Sequence, residues 1–203
     1  MIEVQLSDGS RVEIRPLGPD DRQGLSAGFE RLSERSRYRR FLSPTSRLSS
    51  QQLGYLTELD HHDHEALVAI EPSSRHGLAI ARYVRSRENP REAEAAVAVA
   101  DDWQRRGLGT ILLRQLAVRA RDEGIICFRA LVLKENDAVR HLLETLGQVQ
   151  ERETDEDTIE VALEIPDRSR GREHDRALAG WVRAAATGEL ESRLKGRAAE
   201  PGE

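Results

Sequence analysis

The stretch Val97-Ala98-Val99-Ala100-Asp101-Asp102-Trp103-Gln104-Arg105-Arg106-Gly107-Leu108-Gly109-Thr110 joins an apolar run to a polar turn, two glycines and an amphipathic segment. Residues in that order predict a strand leading into a helix. The first N–H groups of a helix have no intrahelical acceptor, and the helix dipole makes that end positive, so such a junction can hold a phosphate. Gly107 and Gly109 would let an anion come close to the backbone. A P-loop would end in Gly-Lys-Ser/Thr, and no Lys stands here. A dinucleotide fingerprint would need a glycine three positions after Gly109, where Leu112 stands. What remains is Gln-x-x-Gly-x-Gly, with Arg105 and Arg106 inside it.

The elements that must position this loop follow from periodicity. Residues 2–6 and 11–16 alternate around Asp8-Gly9, which predicts a hairpin. Leu25, Phe29 and Leu32 share one face of a helix after Pro19, a second short helix runs from Arg35 to Leu42, and Ser49-Ser50 starts a third. Residues 66–70, 78–84 and 93–100 read as strands, residues 108–121 as a helix closed by Gly124, residues 125–133 as a strand, residues 136–146 as a helix and residues 157–165 as an alternating strand. This mixed α/β order ends at Pro166. Residues 167–203 form a tail rich in Arg, Ala, Glu and Gly, in which Ala177, Leu178, Trp181, Val182 and Ala185 share a helical stripe. The expected organisation is one domain over residues 1–166 and a variable, partly helical tail over 167–203.

Composition narrows the classes. A chain of 203 residues, 38 % hydrophobic and 33 % charged, has material for one core and excludes wholesale disorder. No window approaches the ~20 apolar residues of a membrane-spanning helix, and the start lacks a signal-peptide pattern, so a cytoplasmic protein without membrane association is expected. Arginine supplies all but two of the 31 basic residues, the exceptions being Lys134 and Lys195, yet the net charge of −5 argues against a general nucleic-acid binder. Cys127, the single cysteine, lies in an apolar run and reads as a buried thiol. The run Asp60-His61-His62-Asp63-His64-Glu65 lacks the His-x-x-x-His spacing of a helical zinc site, and no metal is expected. A loop at a substrate entrance fits it better.

With a strand before it and a helix after it, the Gln-x-x-Gly-x-Gly segment resembles the pyrophosphate loop of the GNAT superfamily of acetyl-CoA-dependent N-acetyltransferases. The resemblance extends to Ile14-Arg15-Pro16, residues 32–41, residues 56–60, Ala66-Leu67-Val68-Ala69, Ala81-Arg82-Tyr83 and residues 133–147, which look like the catalytic domain of Pat-type bacterial protein lysine acetyltransferases. It covers roughly residues 10–165. It implies a GNAT fold, a mixed and mostly antiparallel central sheet flanked by helices. It also implies acetyl-CoA as cosubstrate, its pyrophosphate on the amides of Gln104, Arg105, Arg106, Gly107, Leu108, Gly109 and Thr110. The expected partner is a protein substrate with a reactive lysine, met by a monomer or homodimer; no nucleic acid is expected.

The chemistry then dictates what to seek. A lysine ε-amine with a pKa near ~10.4 is mostly ammonium at neutral pH, and removing its proton costs about 4–5 kcal/mol at pH 7. A carboxylate near the acceptor nitrogen would help. In the resembling family the glutamate of Ala-Glu-x-Ala acts as general base, and the match here is Ala93-Glu94-Ala95-Ala96, at a fixed offset from the loop. Taken alone, Glu94 is also what a half-solvated strand would expose. Glu92 shares its strand parity and is a weaker substitute.

The thioester oxygen needs a donor as charge develops, and backbone groups at Val97, Ala98 and Val99 could serve; the resemblance implies that this strand splays to receive the pantetheine arm. Asn136 opens the following helix, where it could be an N-cap, a cofactor contact or both. Many GNAT enzymes carry a tyrosine seven residues after that Asn as acid for the leaving thiolate. Leu143 stands there, so tyrosine-assisted protonation is not expected. The arginines at 35, 37, 39 and 40 read as a solvated helix face with Tyr38 and Phe41 inward, or as a contact for an acidic surface or a phosphate. Two other readings keep the same loop: a small-molecule amine acetyltransferase with a narrower acceptor pocket, and a non-catalytic acetyl-CoA sensor, against which Glu94 argues.

Overall fold

A computed structural model describes residues 1–166. The expected tail stripe around Trp181 lies outside the described residues.

The chain opens with the hairpin β1 (Ile2–Gln5) and β2 (Arg11–Pro16). Its turn depends on Gly9, whose φ of +86° suits glycine. Three helices follow: α1 (Arg22–Glu30), α2 (Glu34–Phe41) and α3 (Ser50–Thr57). Each boundary has a local cause. Ser33 accepts from the Ser36 N–H at the start of α2, and Ser49 and Gln52 form a reciprocal capping box at the start of α3.

Strands β3 (His64–Ile70), β4 (Gly77–Arg85) and β5 (Glu92–Val99) lead to α4 (Leu108–Asp122), then β6 (Cys127–Leu133), α5 (Asp137–Glu144), β7 (Val149–Glu153) and β8 (Thr158–Glu164). The eight strands lie in the order β1-β2-β3-β4-β5-β6-β8-β7, antiparallel everywhere except at β5 and β6. This is the mixed, mostly antiparallel sheet that the sequence predicts. Strand β7 is the element missed: its residues, Val-Gln-Glu-Arg-Glu, are nearly all exposed, so no apolar alternation announces it.

Helices α4 and α5 cover one face of the sheet. Leu108, Leu112, Leu113 and Leu116 of α4 pack there with Tyr83, Phe128, Val161 and Leu163, and burying each large side chain contributes about 1.5–3 kcal/mol. On the opposite face, Leu17 and the β3 residues Ala66, Val68 and Ile70 form a second cluster, against which Leu25 of α1, Leu59 and Ile80 of β4 pack. Alternation along β5 therefore divides its residues. Ala93, Ala95, Val97 and Val99 face α4, and Glu94, Ala96 and Ala98 face the side of α1 to α3.

Candidate active site

The strand-to-helix junction is built to leave N–H groups open. After β5 a 3-10 turn at Asp101–Trp103 swings the chain round, and Arg105 and Gly107 both take positive φ, +60° and +81°. Gly107 is the N-cap of α4 and supplies no capping side chain. The N–H groups of Leu108, Gly109 and Thr110 therefore point out of the helix end without an intrahelical acceptor. A Cβ at Gly107 would meet nothing within 4 Å, so the space above the helix end is open. Gly109 has a different reason: a Cβ there would lie 3.0 Å from Leu142 Cδ1 and 3.4 Å from Val99 Cγ2. Its small size serves the packing of α4 on β5 and α5.

Side chains of the loop hold it in place. The Gln104 amide donates to the Val99 carbonyl at 3.1 Å and to Ser36 Oγ at 3.3 Å. Asp101 accepts from the Ser33 N–H and from the hydroxyls of Ser33 and Ser36, bonds that hold its pKa below the usual carboxylate range against the effect of burial. Together these tie the loop to the start of α2. Arg106 turns away, to Asp8 at 2.9 Å and to the Asp102 carbonyl, and lies over the Trp103 ring. Arg105 is exposed and has no hydrogen-bond or ion-pair partner among the described residues, so its charge is free to meet an anion.

Beside the junction the sheet opens. β5 pairs with β6 only at Glu92, Ala93 and Glu94, opposite Cys127, Phe128 and Arg129. From residue 95 onward the two strands diverge, and a cleft lies between them, lined by residues such as Val97, Ala130, Asn136 and Leu143. The Ala100 N–H donates to the Leu78 carbonyl at 2.8 Å. By the two-residue alternation of an antiparallel ladder, Ala98 and Ala96 also face β4, while Val97 and Val99 turn their N–H groups toward the cleft. Of the three residues expected to supply oxyanion donors, Ala98 is thus the one whose N–H points away.

Asn136 sits at the N-cap position of α5, but its side chain caps nothing. It is buried, at 5 % exposure, and borders the cleft. The capping role falls, and a contact to a molecule in the cleft remains open.

Glu94 is exposed on the opposite face from α4, one residue before the strands part. Two guanidiniums lie within electrostatic range of its carboxylate, Arg40 from α2 and Arg82 from β4, and burial lowers the pKa of both, Arg40's to about 10. Glu92 is engaged elsewhere, with Arg129 and with the Asn89 amide at 2.9 Å. Next to Arg82 stand His64, which bonds its Nη2, and Tyr55, whose ring lies 5.1 Å from its guanidinium carbon. His64 and Arg82 lie on the same face of the sheet as Glu94.

Sequence reasoning missed Arg82 here, and it read Arg39 and Arg40 as a solvated face or a contact for an acidic surface or a phosphate, not as neighbours of Glu94. Against expectation Tyr38 is 46 % exposed while Arg39 and Arg40 border the cleft; Phe41 packs inward on Phe29, as expected. Arg82 did carry a signal, a charge in the middle of an apolar strand and 5 % exposed. Helix α2, charged at five of its eight positions, gave no sign of which of its arginines turn inward.

The His-rich run is structural where its partners are seen. Glu65 is fully buried and accepts from the Ala66 N–H, bonds His61 Nδ1 at 2.9 Å and pairs with Arg119 of α4. Asp60 caps its own turn, accepting from the N–H groups of His62, Asp63 and His64. Within the described residues no group of three His, Cys, Asp or Glu is arranged to hold a metal ion. Cys127 is half-buried, and burial pushes its thiol pKa up, which suits an inert side chain.

Burial, with the Arg82 charge, pushes the His64 pKa from 6.5 down to about 4. Between those values the unfolded chain binds more protons than the folded one, so stability rises with pH across the window. Urea unfolding is expected to show stability falling as the pH drops from about 6.5 toward 4, by about 1–2 kcal/mol once the ring's partial exposure is allowed for. His64→Gln should flatten that slope; an unchanged slope assigns it to other groups.

Comparison with known proteins places these features in context. The model of the acetyltransferase (GNAT) family matches residues 31–148. Acetyltransferase Pat of Mycolicibacterium smegmatis is 37 % identical over 168 residues, which are 81 % of this chain and 49 % of that protein. The chain thus spans about half the length of that relative. Acetyltransferase PA5475 of Pseudomonas aeruginosa is 35 % identical over 155 residues, 75 % of this chain and 83 % of that protein. The crystal structure of the GNAT domain of S. lividans PAT superposes with a TM-score of 0.74 at 29 % identity, covering 81 % of this chain and 96 % of that domain.

Proposed function

The chain belongs to the GNAT acetyltransferase family, whose cosubstrate is acetyl-CoA, and from that premise we propose that it transfers an acetyl group directly to a lysine ε-amine of another protein. The observation that carries this reading is the conjunction of an open helix N-terminus, a cleft between diverging strands and a carboxylate one residue before the divergence.

The residues fit the cosubstrate. The amides from Gln104 to Thr110, with Leu108, Gly109 and Thr110 at the helix end, receive the pyrophosphate, and Arg105 adds positive charge. The cleft takes the pantetheine arm, with Asn136 and the N–H groups of Val97 and Val99 as polar partners beside the Arg39 and Arg40 side chains. Val97 and Val99 also offer donors to the thioester oxygen as it gains negative charge.

Glu94 acts as the general base. It removes a proton from the acceptor ammonium, directly or through water, and Arg40 and Arg82 favour the uncharged amine by opposing a second cation beside them. An exposed base on an open sheet face suits an acceptor carried on a long side chain from a folded partner. Tyr55, 59 % exposed beside Arg82, is available to that partner.

The test is acetyl transfer from labelled acetyl-CoA to a panel of folded proteins, with free lysine and simple amines alongside. Lysine-modified protein, located by mass spectrometry, is the expected product. Faster transfer to the small amines would replace a protein acceptor by a metabolite.

A further inference from the structure

The cleft between β5 and β6 is apolar apart from Asn136 and two guanidiniums, those of Arg39 and Arg40. Within the described residues no carboxylate, hydroxyl, imidazole or thiol lines it. Arg39 Nε is buried without a hydrogen-bond partner, and the far end of that side chain reaches Glu135, itself largely exposed, only at 3.8 Å. Arg40 has no hydrogen bond or ion pair among the described residues; its guanidinium carbon lies 4.9 Å from the Phe41 ring centre. Partial burial makes a weakly paired cation costly. Arg39 and Arg40, both half-buried on consecutive residues of α2 and bordering the cleft, favour an anionic occupant.

Acetyl transfer generates such an anion. Glu94 takes one proton from the acceptor ammonium; the nitrogen then bonds to the carbonyl carbon, the C–S bond breaks and its electron pair departs on sulfur. Of the two protons lost by the ammonium, one ends on the sulfur by way of solvent and the other remains in solvent. We infer that Arg40, assisted by Arg39, stabilises the departing CoA thiolate in the transfer proposed above. The role is electrostatic, because a guanidinium stays protonated at neutral pH even in this buried setting. The inference rests on the acetyl-transfer reading and adds to it the group that meets the leaving charge.

The charged groups around the cleft come from four places: Arg39 and Arg40 on α2, Arg82 on β4, Glu94 on β5 and Glu135 before α5. Cations outnumber anions, which favours a thiolate.

The direct test needs no turnover. CoA is titrated with pH in complex with the full chain, and thiolate formation is followed by ultraviolet absorbance against the CoA-free protein, which subtracts Cys127 and the tyrosines. The bound thiol is expected to titrate about 1–3 units below the roughly 8.5 of a free thiol. Arg40→Met should return at least half of that shift, Arg39→Met part of it, and Arg40→Lys should keep most of it. In turnover, Arg40→Met should lower kcat at least about tenfold with acetyl-CoA affinity within about threefold of the parent, since the thioester has no thiol to titrate.

An unshifted thiol in the bound parent, or a full shift in both methionine variants, overturns the inference. So does a loss of affinity without a loss of kcat, which makes the arginines binding groups. If Arg40→Met fails to fold, the Arg39→Met and Arg40→Lys pair still decides. Failure of the parent to bind CoA at all removes the acetyl-transfer reading, whereas binding with an unshifted thiol removes only this one.

Discussion

Replacing Glu94 by glutamine should leave acetyl-CoA binding intact and lower kcat by about 10²–10⁴-fold, the range set by removal of a general base. The substitution keeps the shape of the side chain and deletes only the ability to take a proton. Glu94 is exposed and makes no hydrogen bond among the described residues, so β5 has no structural need of its carboxylate. Arg40 and Arg82, within electrostatic range, lose an anionic neighbour but keep their places through packing against Phe41 and through His64 and Tyr55. A calorimetric titration gives the cosubstrate affinity, and steady-state rates against acceptor concentration give kcat. Raising the pH should partly rescue the variant, because hydroxide then does the work of the missing base. A kcat within about threefold of the parent would remove Glu94 from the mechanism. Glu92 would be a poor replacement, since Arg129 and Asn89 already hold it.

The second large effect is expected at Gly107. Its φ of +81° lies where any side chain strains the backbone, and the open space above it is where the pyrophosphate is proposed to sit. Gly107→Glu combines both problems: about 1–2 kcal/mol of backbone strain, and a carboxylate set against an anion. Calorimetry should find acetyl-CoA affinity reduced by at least about 100-fold, which corresponds to roughly 2.7 kcal/mol. Gly107→Ala separates the two causes, since it brings the strain without the charge. It should cost similar stability on urea unfolding and much less affinity. Equal binding by the parent and by folded Gly107→Glu would place the phosphate elsewhere.

These two positions differ in how they could be recognised. The loop was legible because its function resides in the backbone, and backbone conformation follows closely from local sequence. Two glycines after a polar turn, an apolar run before and an amphipathic run after define a helix start wherever the chain is placed. Glu94 was legible only through its fixed distance from that loop, because a charge on a half-exposed strand has no meaning of its own. Helix α3 gave itself away by Ser49-Ser50, and Ser49 is its cap. Strand β7 did not, since it is an edge strand with hardly an apolar residue, held by its ladder to β8.

By itself, then, the sequence determined the order of elements apart from β7, the candidate anion-binding junction and the candidate base. Each depends on neighbours within a few residues, and local sterics and periodicity act at that range. Only the tertiary structure decided that β5 and β6 part after three residue pairs, that Gly109 makes room for Leu142, and that Asn136 faces the cleft. It also decided that Arg39, Arg40 and Arg82 stand inside the site while Tyr38 turns to solvent. Those outcomes depend on how α2 docks across β5. Which face of a mostly charged helix turns inward is fixed by the surface that receives it, and that surface comes from residues 40 to 100 positions further along the chain.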